Sequence, residues 1–213
     1  MQIDFLTVFN QLTLSVFALL AITNPFGNLP VFISMSDDLD KSTQTKLFQR
    51  VVFTAFVIVV VFALIGTIIM DKFFQVNLSE LRIAGGIILI VMGIKNLLAP
   101  RELKEHKLSA PSDAIHDRII PLAFPMLVGP GTLSTVIVLK HETGLIITIA
   151  SITAAFVFML ILFAKAYLIE RLLGKLSLFV LSRIMQVFII TIGVKMLAVG
   201  VTELFNLASI LAG

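Results

Sequence analysis

Cysteine and tryptophan are absent from this chain of 213 residues, and charged residues make up only 14% of it. Without cysteine there is no disulfide and no thiolate metal site. The three histidines, His106, His116 and His141, fall in predicted loops, so we expect neither a metal nor a cofactor. The sequence also has no H-E-x-x-H, no G-x-S-x-G and no P-loop. We therefore expect no enzymatic activity.

Apolar residues are abundant instead, at 58% of the chain, against about 45–50% in soluble domains. Six apolar segments approach or reach the roughly 20 residues that cross a bilayer. None alternates like a β-barrel strand. The six segments are 5–36, 51–70, 81–98, 119–139, 145–169 and 178–207. We therefore predict an all-α polytopic protein with six transmembrane helices, whose partner is the lipid bilayer and not nucleic acid.

Two of the six segments are interrupted. The first contains "NPFGNLPVF", residues 24–32. A helix should end before Pro25, because proline supplies no N–H and disfavours helix at the preceding residue. Gly27 permits a close backbone approach. Asn28 is the expected N-cap of a helix that restarts with Pro30 in its first turn.

The fourth segment is interrupted at "PMLVGPGTLS", residues 125–134. Gly129, Pro130 and Gly131 are again followed by polar side chains, those of Thr132 and Ser134. Irregular backbone at membrane depth is tolerated where it is buried in protein or lines a watery cavity. The second interruption therefore predicts the same kind of break as the first.

The two breaks indicate a site for a small zwitterion. Free N–H groups at a restarted helix suit a carboxylate, and the carbonyls that end the preceding helix near Thr23 suit an ammonium group. The alternative is that both breaks are structural kinks, which are common in membrane helices. For the two serines, helix packing is an equal alternative. The candidate substrate-binding residues are Asn24, Gly27, Asn28, Pro30, Ser34, Gly129, Pro130, Gly131, Thr132 and Ser134.

An internal repeat relates the two breaks. At an offset of 100 residues, Pro25 falls on Pro125, Pro30 on Pro130 and Ser34 on Ser134, and further matches occur at "AFV", Ile90, Gly93 and Lys95. Each repeat would hold three spans, and an odd number of spans inverts the second repeat relative to the first. We predict a first repeat over residues 1–98, a cytoplasmic loop over 99–118 and a second repeat over 119–213.

Basic residues predict the orientation. Loops on one side of the predicted membrane carry eleven Lys and Arg residues, and those on the other side carry only Lys72, Arg82 and Lys140. The richer side should be cytoplasmic, which puts both termini outside. Lys95 and Lys195 lie inside spans, where both are candidate gating or counter-ion groups. For Lys95 the alternative is a side chain that reaches the nearby cytoplasmic interface, whereas Lys195 lies deeper in its span. Arg82 and Arg183 are expected to be interfacial anchors.

Three stretches resemble signatures of the MarC family of bacterial and archaeal inner-membrane proteins: "NPFGNLPVF", "LRIAGGIILIVMGIK" and "PLAFPMLVGPGTLS". Size and span pattern also fit, so the resemblance covers almost the whole chain. Many members are of unknown function, but an archaeal one is regarded as a transporter of glycine, alanine and similar amino acids. The resemblance therefore implies an inner-membrane location and such a solute. The residues it carries over are Asn24, Pro25, Gly27, Pro30, Arg82, Gly85, Gly86, Pro121, Pro125, Gly129, Pro130 and Gly131.

Together these features predict a secondary transporter of small neutral amino acids or similar small polar solutes, with its site between the two broken helices. One alternative is a channel-like or efflux protein for other small molecules. Another is a membrane subunit that does not itself transport. Coupling to protons or sodium and assembly into a homo-oligomer are left open by the sequence.

Overall fold

The computed structural model describes residues 5–36, 38–98, 118–120 and 122–211. These residues form helices and no strand, which confirms the all-α prediction. Most of the predicted cytoplasmic loop, residues 99–117, lies outside the described residues, as do Pro121 and both chain ends. The helices are α1 (Phe5–Thr23), α2 (Pro25–Ser34), α3 (Lys41–Ile68), α4 (Leu78–Leu98), α5 (Pro130–Thr143), α6 (Leu145–Ala164) and α7 (Ala166–Leu211). Two π-helical turns accompany them, Ile69–Phe74 after α3 and Leu122–Leu127 before α5.

Five helical segments of the described chain are long and apolar enough to cross a membrane. They are Phe5–Ser34, Lys41–Ile68, Leu78–Leu98, Leu145–Ala164 and Leu176–Asn206. A sixth span arises if Arg118–Leu127 and Pro130–Thr143, which are bent by 57° relative to each other, are counted as one. The chain is therefore multi-pass, and the count of six stays a prediction.

Local features of the sequence determine where α3 begins and where α7 bends. α3 starts at Lys41, well before the apolar run, because the Asp40 carboxylate accepts the N–H groups of Ser42 at 3.0 Å and Thr43 at 3.2 Å. α7 includes ten residues before its membrane segment, which begins at Leu176, and bends at Gly174, whose φ of 73° suits a residue without Cβ. The predicted loop between the last two spans is therefore largely helical.

α5 occupies the centre of the bundle. Most of its residues from Gly131 to Leu139 are buried, although two are threonines and one is a serine. α5 packs against α1, α3, α4 and α6, while α4 packs along α7 and α3 along α6. A helix buried on several faces belongs inside a bundle. The second break is thereby held in the protein interior.

Some contacts between the two halves follow the offset of 100 residues. Either the two residues in contact are themselves 100 positions apart, or one contact has a counterpart in which each residue is replaced by its equivalent in the other half. The rings of Phe56 and Phe156 lie 5.6 Å apart, centre to centre. A Cβ built on Gly93 would contact the Ile190 side chain at 2.5 Å, and one on Gly193 would contact Ile90 at 2.9 Å. A two-fold axis produces such reciprocal contacts, because whenever two residues touch, their equivalents in the other half touch as well. The contacts fit a two-fold relation between the halves, and the inverted orientation stays a prediction.

Arg82 is buried and is not the interfacial anchor that the sequence suggested. Its side chain is 5% exposed. One guanidinium nitrogen lies 2.9 Å from the Glu142 carboxylate of α5, and the other contacts Glu203 of α7. Arg82 thus ties together the start of α4, the last turn of α5 and the far end of α7.

At the opposite end of the bundle, Arg118 ties the chain before α5 to the end of α2. Its guanidinium makes two bonds of 2.6 Å to the Asp38 carboxylate and donates to the Met35 carbonyl at 2.8 Å. These bonds lower the pKa of the Asp38 carboxyl below its ordinary value. Arg183 lies at the same end, where it donates to the carbonyls of Asn96 and Leu97 at the end of α4.

Candidate functional site

Both breaks open onto one cavity of about 50 Å³, which we call the break cavity. Its walls come from the end of α1, the start of α2, the middle of α4, the segment 126–132 and the middle of α7. The apolar part of the wall includes Leu89, Leu127 and Ile189. The polar side chains and backbone that line it belong to Thr23, Asn24, Asn28, Asn96, Thr132 and Gln186.

The first break is a single residue. Asn24 adopts the left-handed conformation, φ 41° and ψ 59°, and α2 begins directly at Pro25. The side-chain oxygen of Asn24 accepts the N–H of Gly27 at 3.2 Å, so Asn24 is the N-cap. The expectation that Asn28 would cap a helix with Pro30 in its first turn was wrong, because both residues lie inside α2. Asparagine tolerates the left-handed region, so one residue suffices for the turn.

The amide groups at this break hold its shape. Asn28 donates its side-chain N–H to the Thr23 carbonyl at 2.9 Å, and Asn24 donates to the Ser182 hydroxyl of α7 at 3.2 Å. The predicted close approach at Gly27 is present, since a Cβ there would lie 2.3 Å from the Ser182 hydroxyl. The Thr23 carbonyl, expected to be free for an ammonium group, therefore already accepts one hydrogen bond.

The second break follows the prediction. Gly129 is extended, with φ −100° and ψ 178°, and α5 starts at Pro130. The N–H groups of Thr132 and Leu133 both return to the Gly129 carbonyl, at 3.0 and 3.2 Å. Gly131 is closely covered, because a Cβ there would lie 2.5 Å from the end of the Leu89 side chain. Before this point the chain is extended at Phe124 and the Phe124–Pro125 peptide is cis.

Half of the ten predicted binding residues line the break cavity, namely Asn24, Asn28, Gly129, Gly131 and Thr132. Gly27, Pro30, Ser34, Pro130 and Ser134 do not. Ser134 packs against α4, since a Cβ on Gly85 would lie 2.6 Å from its Cβ, and its hydroxyl donates to the Pro130 carbonyl. Ser34 is exposed.

Lys95 and Lys195, the predicted gating or counter-ion residues, are exposed on α4 and α7. Neither lines the break cavity. The exposed position of Lys95, near the end of α4, fits the alternative that its side chain reaches toward the interface.

The sequence analysis missed Gln186, together with Met92 and Asn96 of α4. Gln186 is 2% exposed, and its side-chain oxygen has no hydrogen-bond partner among the described residues. A signal was present in the sequence, because Gln186 is a lone amide inside the apolar run "IMQVF" of the sixth segment. Polar side chains within membrane spans generally face the bundle interior.

A larger cavity of about 500 Å³ lies between the end of α3, the start of α4 and the end of α5. Lys140, His141 and Asn77 provide its polar wall. It contains none of the predicted binding residues, and it is remote from both breaks along α5. Size alone would favour this cavity, but the irregular backbone converges on the smaller one.

Comparison with known proteins assigns the chain to a family. The model of the MarC family, described as integral membrane proteins, matches residues 9–205. A UPF0056 membrane protein of Archaeoglobus fulgidus is 31% identical over 87% of this chain and 89% of its own length. UPF0056 membrane protein YvbG of Bacillus subtilis is 30% identical over 88% and 92%, and a UPF0056 membrane protein of Methanocaldococcus jannaschii is 30% identical over 86% and 92%. No solved structure matches the chain. The chain belongs to the MarC family of multi-pass integral membrane proteins, which occurs in bacteria and archaea.

Proposed function

We propose that this protein is a secondary transporter of small neutral amino acids, such as glycine and alanine, and not an enzyme. The break cavity is its solute site. The observation that carries the proposal is the meeting of two proline-broken spans at one cavity, with the breaks at Asn24 and Gly129. Paired breaks in corresponding spans mark the midplane binding sites of many secondary transporters.

The electrostatics of the cavity suit a zwitterion. The N-terminal turns of α2 and α5 both begin at its wall, and a helix N-terminus carries about half a positive charge. The substrate carboxylate binds there, without a basic side chain. A cavity of about 50 Å³ holds on the order of three or four water molecules. Only a solute with a few non-hydrogen atoms fits such a space, which favours the smallest amino acids.

The arginine contacts supply the two gates of an alternating-access cycle. α2 leads from the cavity to the end where Arg118 binds Asp38, and α5 leads to the end where Arg82 binds Glu142. α3 runs the length of the bundle between these ends, so the two contacts lie on opposite sides of the cavity. Releasing one contact at a time frees one broken helix and opens the cavity to one side. The reciprocal contacts between the halves support this use of an inverted repeat.

Purified protein in proteoliposomes tests the proposal. We expect saturable uptake of labelled glycine and alanine, and faster entry of label when the vesicles are preloaded with unlabelled solute. Imposed proton and sodium gradients identify the coupling ion in the same vesicles. Uptake without counterflow would instead indicate a channel. Absence of both in vesicles with correctly inserted protein would favour a subunit that does not transport.

We also expect both termini outside and residues 99–118 inside an inner membrane. The basis is the excess of eleven basic loop residues over three. Fusions of alkaline phosphatase and of a fluorescent protein to the C-terminus report the two sides, since each is active on only one of them. A cytoplasmic C-terminus would contradict the predicted orientation. Only a cytoplasmic C-terminus combined with an external N-terminus would also contradict the six-span count and the inverted repeat.

A further inference from the structure

Gln186 brings an unused hydrogen-bond acceptor to the break cavity. Gln186 lies on α7, which contains neither break, and only 2% of the residue is exposed. Its side-chain oxygen has no partner among the described residues. Buried polar groups in folded proteins nearly always have a hydrogen-bond partner, and the exceptions point to a function or to a missing ligand. The carboxamide lines a cavity that has room for one.

Three of the four polar side-chain atoms of Asn24 and Asn28 are hydrogen-bonded, and only the Asn28 oxygen accepts no bond from the described residues. Asn24 accepts from Gly27 and donates to Ser182, and Asn28 donates to the Thr23 carbonyl. These bonds hold the turn between α1 and α2 together. Gln186 makes no such structural contact through its oxygen, which is buried at the cavity wall, so the carboxamide can turn that oxygen toward a bound molecule without breaking a hydrogen bond of the oxygen.

The helix starts and the Gln186 oxygen offer opposite partial charges to a molecule in the cavity. The helix starts at Pro25 and Pro130 carry partial positive charge, which attracts an anion. The N–H of Gly27 is already bonded to Asn24, and those of Thr132 and Leu133 are bonded to the Gly129 carbonyl. The glutamine oxygen carries partial negative charge and only accepts hydrogen bonds. A molecule that satisfies both needs an anionic group, such as a carboxylate, at one end and a hydrogen-bond donor, such as an ammonium group, at the other.

We infer that Gln186 recognises the ammonium group of the solute and determines that the site takes amino acids in preference to simple carboxylates. This inference rests on the proposed function, and it assigns one side chain to one end of the substrate. The ammonium N–H donates to the Gln186 oxygen while the carboxylate binds at the helix starts. No proton is transferred in this step.

Glycine and acetate test the assignment, because acetate keeps the carboxylate and lacks the ammonium group. Equilibrium binding of labelled glycine, with acetate as competitor, is measured on the purified full chain in lipid nanodiscs. For Gln186→Leu we expect glycine affinity to fall about tenfold or more, the usual loss for a hydrogen bond to a charged group. Acetate affinity should change little. Gln186→Glu keeps an acceptor oxygen and should retain the preference for glycine.

Gln44→Leu is the matched control. Gln44 is also buried and its side-chain oxygen also has no partner, but it lies on the first turn of α3 and does not line the cavity. It should leave glycine binding unchanged. If Gln186→Leu binds glycine as the wild type does, the inference is wrong and the proposed function stands. If the wild type binds no glycine, both are wrong. Should Gln186→Leu fail to fold, Gln186→Glu decides: loss of preference in a folded Glu variant overturns the acceptor role.

Discussion

Replacing Gly86 by valine is expected to remove most of the folded protein from the membrane. A Cβ at this position would lie 2.6 Å from the Gly193 carbonyl oxygen and 2.8 Å from the Leu197 backbone nitrogen. Both atoms belong to the backbone of α7, so no side-chain rotation relieves the contact. Overpacking of a well-packed interior typically costs about 1–3 kcal/mol, and more where backbone must move. Such a loss is a large part of the stability of an ordinary domain.

The measurement is the fraction of a fluorescent fusion that elutes as a single species in detergent, together with its thermal midpoint. Ala84→Val is the control, because Ala84 lies on the same helix but is exposed. It adds two carbon atoms toward the surroundings of the bundle and should leave yield and midpoint nearly unchanged. Equal yields for the two variants would contradict the close packing of α4 on α7.

The fold class could be predicted from local features of the sequence. Lengths of apolar runs predict spans, Pro25 predicts where the first helix ends and Pro130 predicts where α5 starts. The choice of cap residue was not local. Asn24 and Asn28 are both good caps by residue type, and the turn at Asn24 also depends on its bond to Ser182, which lies 158 residues further along the chain.

The direction in which a polar side chain faces was harder to predict than its depth. Arg82 stands at the start of an apolar run, which suggested an interfacial anchor. Its partners Glu142 and Glu203 are 60 and 121 residues away in sequence. Gln186 is similar, because burial of its carboxamide depends on how α7 is rotated against α4. The direction of a side chain therefore depends on tertiary packing. For that reason the sequence analysis missed the ion pairs of Arg82 and the burial of Gln186.

Replacing Gly131 by valine should strongly weaken glycine binding while the protein still folds. A Cβ on Gly131 would lie 2.5 Å from the end of the Leu89 side chain, and both residues line the break cavity. The added carbons, or the displaced Leu89, must occupy a space of about 50 Å³. Overpacking typically costs about 1–3 kcal/mol. If it raises the free energy of the glycine-bound state alone by that amount, binding weakens roughly 5- to 150-fold. Glycine binding and uptake at matched expression measure the effect.

A paired substitution separates lost space from lost backbone freedom. Gly131→Ala adds one methyl group and should weaken glycine binding less than valine does. Because that methyl meets the end of Leu89, shortening the neighbour with Leu89→Val should restore part of the affinity in the double variant. Coupling of this kind is expected only between residues in contact. Normal transport by a well-expressed Gly131→Val protein would mean that the second break is a structural kink and that the solute binds elsewhere.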